Sequence, residues 1–384
     1  MLGAAFALRR ALASISAAAV VAWALAGTVP SQALAASVMK GRVVTVKVHG
    51  RSLVGNLEGD SPDRNVSIYL PPSYDHDKRR RYPVVYLLHG YFLTNQYWIG
   101  GTVKNLIKGI DVPAMMDRDI ASGKGRGMII VMPDGDSKYD GSMYSTSATV
   151  GDWETYIAHD LVSYVDSHYR TIANRASRGL AGHSMGGYGT IRIGMKRPDV
   201  FSSLYIMSAC CLINNPLRFA QRNGGNGNSG ANASRVRNRT GNANGNSARN
   251  GNSRFGRLFA NVAKAEAAAW SPDPNNPPTY FDLPGNKGGA SDALIAAKWA
   301  ANSPLAMVDQ YIPNLKRYSY IGMDVGTMDA LMASNKQLSD ELSAFGVRHS
   351  FQTYVGTHAN RIAERMEDHV IPFFSKHLVF QKKR

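Results

Sequence analysis

One serine lies in a setting that could make it a nucleophile. Ser184 is the centre of the pentapeptide Gly-His-Ser-Met-Gly at 182–186. Residues 177–181 before it can form a buried strand, and Met185–Lys196 after it is typical of a helix. A serine on a sharp strand-to-helix turn has its hydroxyl exposed, and glycine on both sides relieves the crowding. About 0.2–0.3 chance matches to the pattern are expected in a chain of this length, so its meaning depends on partner residues.

Candidate partners follow the serine on two loops, each placed after a predicted strand. A strand predicted at 316–323 precedes Asp324 and Asp329, and a strand predicted at 348–355 precedes His358. Active sites of open α/β sheets form where the carboxyl ends of the strands meet. The order serine, acid, histidine is one of the known orders of catalytic triads. The residues favour Asp329 as the acid and leave Asp324, which is nearer to the strand end, as the alternative.

These residue types predict acyl chemistry. A serine hydroxyl becomes a useful nucleophile when an imidazole removes its proton, which is the role expected for His358. Asp329 would accept a hydrogen bond from the other ring nitrogen and stabilise the imidazolium. Other histidines, His349, His369 and His377, lie in a predicted strand or on the last predicted helix, which favours packed or solvated side chains.

An oxyanion requires preorganised hydrogen-bond donors, worth roughly 3–4 kcal/mol when one is removed. The backbone N–H of Met185, directly after the nucleophile, is the first predicted donor. The second is expected after the apolar strand Pro83–Leu88, where Gly90 lets the chain turn. The amide of Tyr91 is favoured there, with that of Phe92 as the alternative.

Several sequence blocks together resemble the esterase family of α/β-hydrolase fold that includes tributyrin and feruloyl esterases, S-formylglutathione hydrolase and the mycolyltransferases. The blocks are Val66–Pro72, Tyr82–Gly90, Asp152–Tyr156, Tyr164–Arg170, Ala181–Gly189, Asn302–Leu305 and Gly326–Asp329. The resemblance implies Asp329 as the acid, His358 as the base and the residue after Gly90 as an oxyanion donor. It also implies that ester cleavage needs no cofactor. The chain departs from the family around His358, where threonine precedes the histidine and no tryptophan follows it closely.

The fold predicted from these patterns is an α/β-hydrolase fold, with a mostly parallel central sheet flanked by helices and a lid or cap insertion. Residues 1–35 resemble a secretory signal peptide, with an uncleaved membrane anchor as the alternative. The catalytic domain is predicted at 40–384, interrupted by a cap region at 214–300. Within the cap, 223–253 is rich in Asn, Gly and Arg, a composition that predicts disorder.

Charge and cysteine content limit the partners. The formal net charge is +16, and residues 216–259 hold eight arginines and no acidic residue. This loop is either a tolerated insertion or a contact for anionic surfaces. Nucleic acid is not expected, because the loop has almost no aromatic residues for stacking. Cys210 and Cys211 are adjacent and are predicted to be buried free thiols, since neighbouring Cα atoms lie closer than the usual disulfide range.

The function predicted is an exported serine carboxylesterase, periplasmic or extracellular, with no metal and no integral membrane segment after signal cleavage. Trp153 and Trp270 are predicted to bind a small-molecule or carbohydrate ester. An acyltransferase that passes the acyl group to a carbohydrate hydroxyl is the close alternative, and product analysis with such an acceptor distinguishes it. A non-catalytic surface-binding protein that uses the basic loop is the alternative of another class, which intact Ser184, Asp329 and His358 disfavour.

Overall fold

A computed structural model describes residues 39–213, 261–285 and 288–381. The predicted signal peptide and the predicted disordered loop at 223–253 lie outside the described residues. The described residues form one compact unit. Among the described residues, no helix is both long enough and apolar enough to cross a lipid bilayer.

The centre of this unit is a mixed sheet of eight strands. The strands in chain order are β1 (Arg42–His49), β2 (Asp63–Leu70), β3 (Val84–Leu88), β4 (Thr102–Val103), β5 (Ile107–Lys108), β6 (Ile129–Pro133), β7 (Thr146–Ser147), β8 (Gly151–Asp152), β9 (Arg178–His183), β10 (Ser203–Met207), β11 (Tyr320–Gly326) and β12 (Ser350–Tyr354). The large sheet has the order β1-β2-β6-β3-β9-β10-β11-β12, while β4 pairs with β5 and β7 with β8.

The pairing confirms the predicted mostly parallel sheet. β1 and β2 are antiparallel at one edge, and β2 also runs antiparallel to β6. From β6 to β12 the neighbouring strands are parallel. Every residue of β3, β6 and β10 is buried, as expected for strands that are covered by other elements on both faces.

Helices cover both faces of the sheet. Their bounds are α1 (Val112–Ser122), α2 (Trp153–Thr155), α3 (Leu161–His168), α4 (Met185–Lys196), α5 (Val262–Trp270), α6 (Gly289–Ala301), α7 (Pro304–Leu315), α8 (Met332–Ala344), α9 (Ile362–Arg365) and α10 (Ile371–His377), with π-helical turns at Tyr156–Asp160 and Met366–Val370. Alternate residues of β3 enter two separate hydrophobic clusters: Tyr86 belongs to one, and Val85 and Leu87 belong to the other. This alternation follows from the two-residue period of a strand.

Because of the register of the strands, the loops that follow four of them begin at the same edge of the sheet. Leu88 pairs with Gly182, and Gly326 pairs with Tyr354, so β3, β9, β11 and β12 end close together. One predicted boundary is wrong: the strand predicted at 316–323 begins at Tyr320 and ends at Gly326, because α7 extends to Leu315. Asp324 therefore lies inside β11 rather than on the loop after it.

Candidate active site

Ser184 lies on a strained turn between β9 and α4. Its backbone has φ 59° and ψ −114°, a left-handed conformation that is uncommon for a residue with a side chain. The flanking glycines are required by packing. A Cβ added to Gly182 would lie 2.3 Å from the carbonyl oxygen of Gly186, and one added to Gly186 would lie 2.2 Å from that of Leu88. The turn thus exists only because both positions lack a side chain.

The hydroxyl of Ser184 is the first member of a chain of two hydrogen bonds. Ser184 Oγ lies 2.9 Å from Nε2 of His358, and Nδ1 of the same ring lies 2.8 Å from Oδ2 of Asp329. The other carboxylate oxygen of Asp329 accepts the backbone N–H of Leu331 at 2.9 Å. Three side chains predicted from separate loops are therefore in contact in the order that a triad requires.

The electrostatics of Asp329 fit an ionised acid. Its side chain is almost fully buried, and burial alone would raise the pKa of the carboxyl. The hydrogen bond from His358, and the positive charge of that ring whenever it is protonated, outweigh this effect and hold the pKa of Asp329 below its ordinary value. A carboxylate that stays ionised keeps the histidine in the tautomer whose Nε2 can accept a proton from Ser184.

Asp324, the alternative acid, has a different partner set. Its carboxylate accepts hydrogen bonds from the hydroxyl of Tyr205 and from Nε of Arg365, both at 2.9 Å. Burial raises the pKa of Asp324, although Arg365 and Tyr205 oppose the shift. This carboxylate links β11 to β10 and to α9, and neither of these two partners is His358.

His183 positions His358, and the sequence analysis did not predict this role. Nε2 of His183 lies 2.8 Å from the backbone oxygen of His358, and the two rings are 4.7 Å apart. Burial lowers the pKa of His183 to about 3, so the ring is neutral and its Nε2–H donates. The only sequence signal was the position of His183 directly before the nucleophile.

The amides next to Ser184 suit an oxyanion. Met185 is the first residue of α4, and the first N–H groups of a helix have no acceptor within the helix. Gly90 lies against the nucleophile, since a Cβ added there would be 3.3 Å from the Cβ of Ser184. Of the two amides that follow, the N–H of Phe92 donates to the oxygen of Asp140 at 2.8 Å. Because the N–H of Phe92 already has this acceptor, the amide of Tyr91 is favoured as the second oxyanion donor.

His89 holds this loop in place. Its Nδ1 lies 2.8 Å from the oxygen of Gly90, and its Nε2 accepts the N–H of Gly135 at 2.7 Å. The ring is completely buried. His89 therefore fixes the turn that presents the Tyr91 amide.

The two tryptophans predicted to bind substrate are buried in the core. Trp153 donates from Nε1 to the oxygen of Val150 at 2.9 Å, and Trp270 donates to the hydroxyl of Ser145 at 3.3 Å. Each side chain is at most 2% exposed. Packing explains both indoles, so neither is used in the function proposed below.

The mostly parallel sheet of eight strands, covered by helices on both faces, is a fold of α/β-hydrolase type. The sequence profile of the family described as "Putative esterase" matches residues 61–372, and the chain belongs to this family.

Curated relatives match over part of the chain. Esterase Rv1288 of Mycobacterium tuberculosis is 35% identical over 142 residues, which are 36% of this chain and 27% of the relative. An endo-1,4-beta-xylanase/feruloyl esterase of Xylanibacter ruminicola is 32% identical over 151 residues, which are 38% of this chain and 19% of the relative. The match thus spans about a quarter or less of these relatives' own length.

Solved structures match over a larger share of the chain. A ferulic acid esterase superposes with a TM-score of 0.59 at 21% identity, covering 88% of this chain and 100% of that one. An S-formylglutathione hydrolase of Staphylococcus aureus gives 0.51 at 14% identity, covering 88% and 97%. At these identities the two structures support the fold.

Proposed function

We propose that this protein is an exported serine esterase that forms a covalent acyl-enzyme on Ser184. The observation that carries the proposal is the pair of hydrogen bonds made by His358, which donates from Nδ1 to Asp329 at 2.8 Å and accepts at Nε2 from Ser184 at 2.9 Å. Distances of this size allow direct proton transfer between the heavy atoms. The strained turn at Ser184 supports the same role, because such strain is concentrated at functional sites.

The first half of the reaction forms the acyl-enzyme. Nε2 of His358 takes the proton of Ser184 as the serine oxygen attacks the ester carbonyl. The amides of Met185 and Tyr91 donate to the resulting oxyanion. The imidazolium, stabilised by Asp329, then gives its proton to the departing alcohol, and the acyl group remains on Ser184.

The second half releases the acid. Water loses a proton to Nε2 of His358 and attacks the acyl carbonyl, and the same two amides hold the second oxyanion. When the tetrahedral intermediate collapses, the proton on His358 returns to the oxygen of Ser184. The enzyme is regenerated without a cofactor in any step.

Export rests on the sequence of residues 1–35, which lie outside the described residues. Two arginines precede a mostly apolar stretch, and Ala33-Leu34-Ala35 supplies the small residues that signal peptidases require. Expression of the full chain with N-terminal sequencing of the exported product tests this part. A mature protein that begins near residue 36 supports export, and a retained Met1 on a cell-associated protein contradicts it.

Hydrolysis of p-nitrophenyl acetate and butyrate, compared between the wild type and Ser184→Ala, tests the reaction. We expect kcat/KM to fall by about 10⁴-fold or more in the variant, since a triad without its nucleophile retains only oxyanion and binding effects. Ser202→Ala is the matched control, because Ser202 is buried directly before β10, at the end of that strand away from Ser184, and its hydroxyl bonds to the backbone oxygens of Ala176 and Arg178 and to Ser203. Equal activity of Ser184→Ala and the wild type would refute the proposal.

The relatives suggest the substrates to try next. One curated relative is named a feruloyl esterase, and a superposed structure is named a ferulic acid esterase. We therefore include a hydroxycinnamate methyl ester beside the short alkyl esters. A higher kcat/KM for the hydroxycinnamate ester indicates an aromatic acyl group, and a lower one indicates an alkyl acyl group.

A further inference from the structure

Two thiols lie beside the nucleophile and have no part in the reaction described above. Cys210 and Cys211 are the only cysteines of the chain, and they follow directly after β10. Both are free and half-buried, and their Sγ atoms lie 2.7 Å apart. A disulfide bond measures about 2.0 Å, so the sulfurs are close enough to bond once the peptide between the two residues adjusts.

The backbone of this pair is joined to the nucleophile. The N–H of Cys210 donates to the backbone oxygen of Ser184 at 3.1 Å, and the N–H of Ser184 donates to the oxygen of Met207 at 3.0 Å. The turn that orients the nucleophile is therefore held from the segment that carries the thiols. A change in the peptide between Cys210 and Cys211 is transmitted to Ser184.

The residues on either side of the two cysteines are held by hydrogen bonds, so they cannot move freely to accommodate a change in the peptide between Cys210 and Cys211. The side chain of Asn335 makes two hydrogen bonds to Ala209, one to its N–H at 3.0 Å and one to its oxygen at 2.9 Å. On the other side, the oxygen of Leu212 accepts the N–H of Leu305 at 3.1 Å. Cys211 has a φ of 60°, which is already a strained conformation.

A buried carboxyl group contacts the second thiol. Oε1 of Glu266, on α5, lies 3.5 Å from Sγ of Cys211, and Glu266 is 7% exposed. Among the described residues, Oε2 of Glu266 has no hydrogen-bond partner. Burial raises the pKa of Glu266 to about 7, although the Cys211 thiol opposes the shift. The contact with Cys210 and burial also raise the pKa of the Cys211 thiol, so its proton passes to the adjacent carboxyl only as the sulfur attacks.

We propose that Cys210 and Cys211 form a redox modification site, at which a small disulfide compound closes a vicinal disulfide that lowers the activity of Ser184. The effect on activity rests on the esterase function proposed above, whereas closure of the bond does not. Closure must distort the peptide, because adjacent Cα atoms lie about 3.8 Å apart and disulfides usually need about 4.4–6.8 Å. The distortion weakens the hydrogen bond from Cys210 to Ser184.

The chemistry balances with oxidised glutathione as the oxidant. The thiolate of Cys210 attacks the glutathione disulfide, which forms a mixed disulfide and releases one glutathione thiolate. Cys211 gives its proton to Glu266, and its sulfur attacks that of Cys210. The Cys210–Cys211 bond forms, the mixed disulfide breaks, and the second glutathione leaves. The protein loses two protons and two electrons, and the oxidant is reduced to two thiols.

The test treats the mature protein with oxidised glutathione and follows intact mass and kcat/KM together. We expect a species lighter by two hydrogen atoms, with kcat/KM reduced by about 10-fold, because small displacements of reacting groups cost rate steeply. Dithiothreitol should restore both. A Cys210→Ser/Cys211→Ser variant controls for oxidation elsewhere and should be insensitive to the treatment.

Glu266→Gln tests the proton acceptor. We expect the mixed disulfide of this variant, heavier by one glutathione, to accumulate because Cys211 resolves it more slowly. The proposal is overturned if the wild type never forms the bridged species, or if the bridged species has the kcat/KM of the reduced protein. If the reduced protein cleaves no ester at all, formation of the bridge is still measured by mass. The reactivity of Ser184 is then measured by its reaction with a fluorophosphonate. A failure of the esterase proposal can thereby be distinguished from a failure of the proposed redox site.

Discussion

Two aspartates five positions apart take opposite roles because their surroundings differ. Asp329 contacts the ring of His358, and its carboxyl has a lowered pKa. Asp324 is enclosed in the sheet between Tyr205 and Arg365, and burial raises its pKa. The environment of each carboxylate, rather than the residue type, distinguishes the acid proposed for catalysis from the one enclosed in the sheet.

Substituting each aspartate tests this assignment. Asp329→Asn should lower kcat by about 10⁴-fold with little loss of stability, because the histidine loses its correct tautomer. Asp324→Asn should leave the contacts of His358 in place and destabilise the fold by about 3–5 kcal/mol, because Arg365 then lacks its buried partner. Ester hydrolysis and urea unfolding measure the two effects. The reverse pattern, with activity lost only in the Asp324 variant, would contradict the assignment.

The strand-to-helix turn depends on the close approach of α4 to β3. Gly186 is the tightest point, since its added Cβ would lie 2.2 Å from the oxygen of Leu88 and 2.9 Å from that of His89. Both neighbours are backbone oxygens at the end of β3, where the loop proposed to carry an oxyanion donor begins. The same contact therefore sets the packing of the turn and the position of the site.

Gly186→Ala should destabilise the protein by about 1–3 kcal/mol, as overpacking of a core does, and should lower kcat as the two loops separate. Gly127→Ala is the matched control, because its nearest neighbour would be 3.5 Å away, an ordinary contact. Thermal unfolding and ester hydrolysis of both variants provide the measurements. If Gly186→Ala unfolds and reacts like Gly127→Ala, the close approach is not a constraint on the site.

The elements were more predictable from the sequence than the contacts between them. Apolar runs and turn residues predicted β9, α4 and β12 within a few positions, because these patterns are local. The boundary of β11 was predicted too early, which placed Asp324 on the wrong side of the strand end.

Contacts between distant residues carry no local signal. The hydrogen bond from His183 to the oxygen of His358 joins residues 175 positions apart, and it depends on the register of the whole sheet. The burial of Trp270 likewise depends on a partner from another segment, since its indole donates to Ser145, 125 positions away. The order of Ser184, Asp329 and His358 was predictable, and their distances were not.

Glu58 makes the stability of the whole molecule depend on pH. It is 8% exposed, and burial, together with the nearby Asp60, raises its pKa from 4.5 to about 9 while Lys138 and Arg64 oppose the shift. Between pH 4.5 and 9 the unfolded chain has lost this proton and the folded chain has kept it. The free energy of unfolding therefore falls as pH rises through this window.

Glu58→Gln removes this titration. At pH 8 the variant should be more stable than the wild type by about 1–3 kcal/mol, and at pH 4 the difference should disappear. Urea unfolding at the two pH values measures it. Glu364→Gln, at an exposed pair with Arg361, is the control and should change stability by less than about 1 kcal/mol. A difference that is the same at both pH values would contradict the role of Glu58.

The charge of the molecule is unevenly placed along the chain. Residues 216–259 hold eight arginines against a net charge of +16, and this segment lies entirely outside the described residues. Deletion of 223–253 should weaken binding to anionic vesicles by at least about 10-fold and leave turnover of small esters unchanged, because the described site residues lie elsewhere. Vesicle sedimentation measures the binding, and equal binding of both proteins would contradict a tether.

Trapping the acyl group on Ser184 tests the central claim most directly. Rapid mixing with p-nitrophenyl butyrate, quenching in acid and peptide mass analysis locate any covalent intermediate. We predict a burst of p-nitrophenol equal to the enzyme concentration and a butyryl group on the peptide that contains Ser184, absent from Ser184→Ala. Steady hydrolysis with no adduct in the quenched enzyme, or an adduct on another residue, would contradict it.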